Sequence, residues 1–190
     1  MKQTKKEQIL DSALTLFSEK GIDATSTASI AKAAGVATGT LFHHFPSKQA
    51  LVHELYLSIK QDLSQQFAPV TTDTDGELKQ QACALWNNAI DWAIGSPQKL
   101  RFFQMVSASQ LLSVQEKANA MAQELGVIFK LIELGQASQE FAKHPMELLA
   151  LNCQGLFFTA SNFYIDNPQY VNDTQYRQSS FDIFWNALRR

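Results

Sequence analysis

Two histidines stand side by side in "GVATGTLFHHFPSK", residues 35–48. An imidazole can ligate a metal, carry a proton, pack in a core or donate to an anion. Adjacent helical residues point about 100° apart, so His43 and His44 are poorly placed to chelate one ion. His53 and His144 lie elsewhere, and no cysteine cluster accompanies them. No HExxH, GxSxG, phosphate-loop or paired-carboxylate motif is present either. No metal, cofactor or catalytic site is therefore expected. The neighbours favour a polyanion. Ala37, Thr38, Gly39 and Thr40 are small residues that would start a helix. A helix with a small tip can seat its backbone in a major groove about 12 Å wide, where bulky side chains would hold it off. Threonine methyls can meet thymine methyls, and their hydroxyls can meet phosphates or base edges. His43 and His44 can donate to phosphate oxygens. Lys48, in the first turn of the next helix, adds a positive charge beside exposed backbone N–H groups, which together make an anion site.

The surrounding elements must hold that tip outward. Ile9, Leu10, Ala13, Leu14 and Phe17 give the first helix one apolar stripe. Gly21 stops that helix. Ser26 reads as the N-cap of a short helix containing Ile30, Ala31 and Ala34, and Gly35 ends it in a turn that suits positive φ. The third helix runs from Ala37–Thr38 to Phe45, because Pro46 cannot continue it. Val36, Leu41 and Phe45 are spaced to plug into the first stripe. Two short helices joined by "AGVAT" have helix-turn-helix proportions. Ser47 caps a fourth helix carrying Val52, Leu55, Ile59 and Leu63.

The totals set bounds on the rest. With 190 residues, 45% apolar and 18% charged, the chain can bury a core and is not of disordered composition. Its formal net charge is −2, so affinity for nucleic acid must come from a local patch. Residues 1–48 supply one: six lysines against four acids, a surplus of two, which leaves the remainder at −4. No apolar run reaches the length of about 18 residues needed for a membrane span. The N-terminus is an amphipathic helix, not a secretory signal. Cys83 and Cys153 read as buried free thiols of a reducing cytoplasm.

Read with its neighbours, "GIDATSTASIAKAAGVATGTLFHHFPSKQALV" strongly resembles the DNA-binding domain of the TetR family of bacterial transcriptional regulators. The resemblance is close over residues 4–55; beyond that only helix count and order match. It implies that Thr27, Thr38, Gly39, Thr40 and His43 approach bases or nearby backbone, with Ser26, Phe42, His44 and Lys48 near phosphates. Two departures from the family stand out, one at Phe42 and one at the pair Ala28–Ser29. Phe42 stands where it usually has a tyrosine whose hydroxyl meets phosphate. Ala28 and Ser29 replace a longer polar residue and an acid, which removes a capping-box partner. Modest, strongly salt-dependent affinity is expected.

After a break at "APVTTDTDG", residues 68–76, every segment again has helical period. Ten of the 13 phenylalanines and all three tryptophans lie from residue 67 onward. Most are core. Polar residues beside these stripes allow an apolar pocket with a few polar groups, and Trp86, Phe102, Phe103, Met121, Leu125, Phe157 and Ser161 are its candidate lining. Met146–Tyr164 is apolar on more than one face, and the last helix carries Phe181, Phe184, Trp185 and Leu188. Two such helices from each of two chains would make a four-helix interface, as the family's mode of dimerisation implies.

The expectation is an all-α protein of about nine helices: a helix-turn-helix domain over residues 1–46 and a larger helical bundle over residues 47–190 for ligand binding and dimerisation. Its expected partners are an operator of double-stranded DNA, a small apolar or aromatic ligand and a second copy of itself in the cytoplasm, with no membrane. The alternative is a helical carrier or enzyme in which the first helices are only scaffold.

Overall fold

Thr4 opens the chain's first helix with a reciprocal cap. Its hydroxyl accepts from the Glu7 backbone N–H at 3.2 Å, and its own N–H donates to Glu7 Oε2 at 2.7 Å. The structure, a computed structural model, describes residues 3–67 and 78–190. Helix α1 (Lys5–Lys20) ends at Gly21, whose φ of 85° with ψ of 157° is open only to glycine. Helix α2 (Thr27–Ala33) is capped by the Ser26 hydroxyl, which accepts from Ser29 N–H at 3.1 Å. It closes in a Schellman turn: Val36 N–H donates to Ala31 O at 3.0 Å and Gly35 N–H to Lys32 O at 3.2 Å. Gly35 has φ 66°, the conformation this turn requires. Helix α3 (Thr38–His44) follows at once. Phe45, ahead of Pro46, turns extended, and α4 (Lys48–Ser64) starts with Ser47 Oγ accepting from Ala50 N–H at 3.0 Å.

A 3₁₀ turn (Gln65–Phe67) ends this stretch; the expected loop at 68–76 lies outside the described residues. Then come α5 (Leu78–Gly95), α6 (Pro97–Ala108), α7 (Val114–Glu124), α8 (Gly126–Ala137), α9 (Met146–Asp166) and α10 (Thr174–Leu188). The described residues thus form ten α-helices, where the sequence suggests about nine. The extra one comes from a break between α7 and α8, where the apolar helical period itself runs on from Ala118 to Ile132. Leu125 has φ −121° and ψ 30°, and the poor helix former Gly126 follows it. No strand occurs among the described residues, only an isolated bridge between Phe141 and Arg189.

The helices sort into two compact units. The first takes in Met1–Lys60 and Gln98–Ala120. There α1, α2 and α3 pack on one another over Ile9, Ala13, Phe17, Ile30 and Leu41, all 0% exposed. Phe102 stacks on Phe17 at 5.7 Å, and Phe103 meets Tyr56 edge-on at 5.6 Å. Lys60 is buried, with its Nζ 5.0 Å from the Tyr56 ring and 5.3 Å from that of Phe103. Arg101 donates to Ser18 O at 3.3 Å, and Gln49 to Leu111 O at 3.1 Å.

The second unit takes in Gln61–Pro97 and Met121–Arg190. Helix α5 lies against α8, α9 and α10, and α9 against α8 and α10. Trp86 stacks on Phe184 at 4.5 Å and donates through Nε1 to Ser180 Oγ at 3.1 Å. Phe141 lies so close over Gly135 that a Cβ there would come within 2.1 Å of its ring. The aromatic stripe of the last helix, assigned from sequence to a dimer interface, is instead core of its own chain. Phe181, Phe184, Trp185 and Leu188 are all buried.

Candidate nucleic-acid interface

Helix α3 is held by one face and offers the other. Leu41 is fully buried and Phe45 nearly so, which pins the helix to α1 and α2. Ala37, Thr38, Gly39, Phe42 and His43 are exposed, while Thr40 and His44 are half-buried. At 100° per residue, Thr38, Phe42, Gly39 and His43 share one outward sector, and Thr40 and His44 lie on its flank. Nothing lies within 4 Å of where a Gly39 Cβ would stand, so the tip is both small and clear. The two imidazoles meet edge to face at 5.5 Å, and His44 leans towards Phe45 at 6.3 Å. His43 therefore reaches outward while His44 is partly packed.

Beside this face runs an open cleft lined by Ser26, Thr27, Phe42, Ser47 and Lys48. It joins the capped start of α2 to the capped start of α4. Lys48 is half-buried, and its Nζ donates to Asp23 O at 3.4 Å. The long bond leaves the ammonium with donors for an anion in the cleft. Ser29 does not close a capping box. Its Oγ donates to Ser26 O at 2.7 Å, so the hydroxyl stays local where an acid would have reached back to the cap N–H. Of the residues proposed from sequence for DNA contact, Ser26, Thr27, Phe42 and Lys48 line this cleft, Ala37, Thr38, Gly39 and His43 are exposed on α3, and Thr40 and His44 are half-buried there. Sequence reasoning missed Thr25. It is buried in the loop before α2 and donates to Gly21 O at 2.8 Å and Leu16 O at 3.3 Å, which fixes the approach to Ser26. A threonine one residue before a serine cap was the available signal.

The candidate ligand residues divide between the units. Phe102 and Phe103 belong to the first, packed on Phe17 and Tyr56. Trp86, Met121, Leu125, Phe157 and Ser161 belong to the second, and all are buried. Ser161 is 0% exposed, and its hydroxyl has no hydrogen-bond partner among the described residues; the same holds for the Tyr164 hydroxyl one turn on. No group of three or more His, Cys, Asp or Glu side chains among the described residues could hold a metal ion.

The second unit also leaves an apolar face uncovered. On α9, Leu148 (54% exposed), Leu151 (65%) and Phe163 (38%) point outward, with Gly155 and Thr159 between them. On α10, Tyr176 and Ile183 (64%) do the same. A spacing of three to four residues on α9, and of seven on α10, puts each set on one stripe. No helix among the described residues is long and apolar enough to cross a membrane.

Residues 9–55 match the model of the bacterial regulatory proteins of the tetR family. A crystal structure from Shewanella sp. PV-4, described as a tetR-family transcription regulator, is 44% identical. It aligns over 99% of this chain and 100% of that one, with a TM-score of 0.94. The HTH-type transcriptional regulator YttP of Bacillus subtilis is 25% identical over 97% of this chain and 88% of its own length. The HTH-type transcriptional repressor KstR2 of Rhodococcus jostii is 44% identical over 62 residues. The match spans only 30% of that protein's length and 33% of this chain.

Proposed function

We propose, because this chain belongs to the TetR family of bacterial regulatory proteins, that its α3 face reads operator DNA and that a small ligand bound in the second unit controls the reading. The protein is a DNA-binding transcriptional regulator. The observation that carries the finer reading is the clear, small-tipped face of α3 set beside Ser47 and Lys48. Thr38, Gly39 and His43 approach base edges; Ser26, Thr27, His44 and Lys48 grip phosphates. Two copies, joined through the exposed stripes of α9 and α10, present two recognition helices to successive major-groove faces about 34–36 Å apart. The operator is then a palindrome, and the protein works in the cytoplasm as a repressor.

The ligand is apolar with a single polar group. Met121, Leu125, Trp86 and Phe157 are buried apolar side chains of the second unit, and the buried Ser161 hydroxyl, without a partner among the described residues, is the candidate hydrogen-bonding anchor. Binding lowers operator affinity only by as much as the ligand prefers the conformation that does not fit DNA. Helix α4 begins at the DNA-facing cleft and continues past the end of the first unit at Lys60, so it is the connection such a preference would act through.

The test is selection of duplexes from a random pool by the purified full-length chain, followed by gel retardation over a range of salt. A two-fold-symmetric motif, with half-sites one helical turn or a multiple apart, is the expected result. Failure to enrich any sequence or to retard any duplex at low salt would overturn the reading.

A further inference from the structure

The phosphate-side cleft, which Asp23, Ala24 and Pro46 also line, carries one large aromatic side chain. Phe42 is 44% exposed, a large apolar surface left in water beside the hydroxyls of Ser26, Thr27 and Ser47, the Lys48 ammonium and Asp23. It is not propping up the core: Leu41 and Phe45 on either side of it are buried and do that work. It has neither donor nor acceptor, so it adds no hydrogen bond to an anion. It stands one turn after Thr38 on the outward sector of α3, beside Ser47 and Lys48 and away from the helix tip. Every phosphate that Lys48 could hold is followed along the strand by a deoxyribose, whose C–H face is the apolar surface nearest to it.

We infer that Phe42 packs its ring on the deoxyribose next to the phosphate held by Lys48, giving a sequence-independent contact that releases no counterion. This rests on the DNA-reading role of the α3 face. Burial of the ring drives the contact, so the contact strengthens binding to any duplex and does not depend on salt. The choice between sugar and base follows from position. Thymine methyls lie deep in the groove, where the tip residues Thr38 and Gly39 lead; Phe42 is flanked by the backbone-gripping residues.

The experiment compares wild type, Phe42→Ala and Phe42→Tyr on three duplexes: one selected by the wild-type protein, an unrelated one of equal length, and the selected one with uracil replacing thymine. Phe42→Ala should bind the first two about tenfold more weakly, the loss expected from uncovering some tens of Å² of ring surface. The slope of log affinity against log salt should match wild type, and so should the melting temperature. Phe42→Tyr keeps the ring and should bind at least as tightly as wild type. The factor lost by Phe42→Ala should be the same on the uracil duplex as on the thymine duplex, since any thymine-methyl contact belongs to the tip residues. Several results overturn the inference: equal binding by Phe42→Ala, a loss confined to the selected duplex, a Phe42→Ala loss that disappears on the uracil duplex, a changed salt slope, a lowered melting temperature of Phe42→Ala, or weakened binding by Phe42→Tyr. A wild-type protein that binds no duplex defeats the regulator reading itself; a binding wild type matched by Phe42→Ala defeats only this contact.

Discussion

Trp86 and Phe184 stack nearly parallel, ring centroids 4.5 Å apart and planes 19° from each other, so the last helix is bonded to α5 by its most aromatic face. That contact decides which side of α10 remains for a second chain. Phe184→Ala should cost about 3–5 kcal/mol of folding stability, as large-to-small aromatic changes in a core do. Chemical denaturation measures it, and the loss should not depend on protein concentration. Leu151→Glu should do the reverse. Leu151 is 65% exposed, so the monomer folds unhindered, but a carboxylate on the α9 stripe would be buried unpaired between two copies. Sedimentation should show dimers weakened by about 3–5 kcal/mol. A Leu151→Glu protein that stays dimeric would place the interface elsewhere.

The turn between α2 and α3 gives a second expectation. Gly35 sits at φ 66° with nothing within 4 Å of its would-be Cβ, so the strain of a substitution is conformational rather than steric. Gly35→Ala should destabilise by about 1–2 kcal/mol, and Gly35→Asn by less, since asparagine tolerates the left-handed region. Thermal melts of the two variants check the order. An Ala variant as stable as wild type would mean that the turn relaxes without cost.

How far the sequence already spoke follows from which of these features are local. The caps at Ser26 and Ser47, the glycine turn and the stop at Pro46 are set within four residues of chain, and each stands where the pattern puts it. The outward set on α3 was legible because Leu41 and Phe45 declare the inward one. The break at Leu125 was not, since the apolar period runs straight across it. Neither was the orientation of α10. Its sequence carries one aromatic stripe and one thinner stripe with Ile183, and only the position of Trp86, nearly a hundred residues earlier, decides which is core. Phe102 and Phe103 show the same limit. Nothing near them in sequence reveals that their neighbours are Phe17 and Tyr56.

Lys48 and Thr38 separate grip from reading. Among the described residues Lys48 donates only to the Asp23 carbonyl, at 3.4 Å, and it lines the cleft. Lys48→Ala should weaken binding to all duplexes alike and reduce the salt slope by about one. Thr38 is fully outward at the helix tip. Thr38→Ala should cost about 1–3 kcal/mol on the selected operator and almost nothing on unrelated DNA. Fluorescence anisotropy on both duplexes at four salt concentrations tests the pair. A sequence-selective loss from Lys48→Ala would remove its phosphate role, and an unchanged operator affinity for Thr38→Ala would take that residue out of the interface.

The two thiols should differ in reactivity. Cys153 is buried on α9, and burial pushes its pKa up to about 12; Cys83 is half-exposed and only raised, chiefly by desolvation, with Asn87 donating to its Sγ at 3.4 Å. The thiolate is the reactive form, so in the folded protein Cys153 is both shielded and protonated. A disulfide-exchange reagent at about pH 8 should modify Cys83 slowly and Cys153 only as the second unit opens. Mass spectrometry should find one label on the native chain and two in denaturant. The same shift fixes a sign for alkaline stability. Because the folded state holds the Cys153 proton more tightly, its contribution is complete below the ordinary thiol value of 9.0 and is lost as pH rises from there towards about 12. Cys153→Ala should flatten the stability profile in that window and leave it unchanged near neutrality apart from a constant packing loss. Rapid double labelling of the native protein would show that the α9 core is open to solvent.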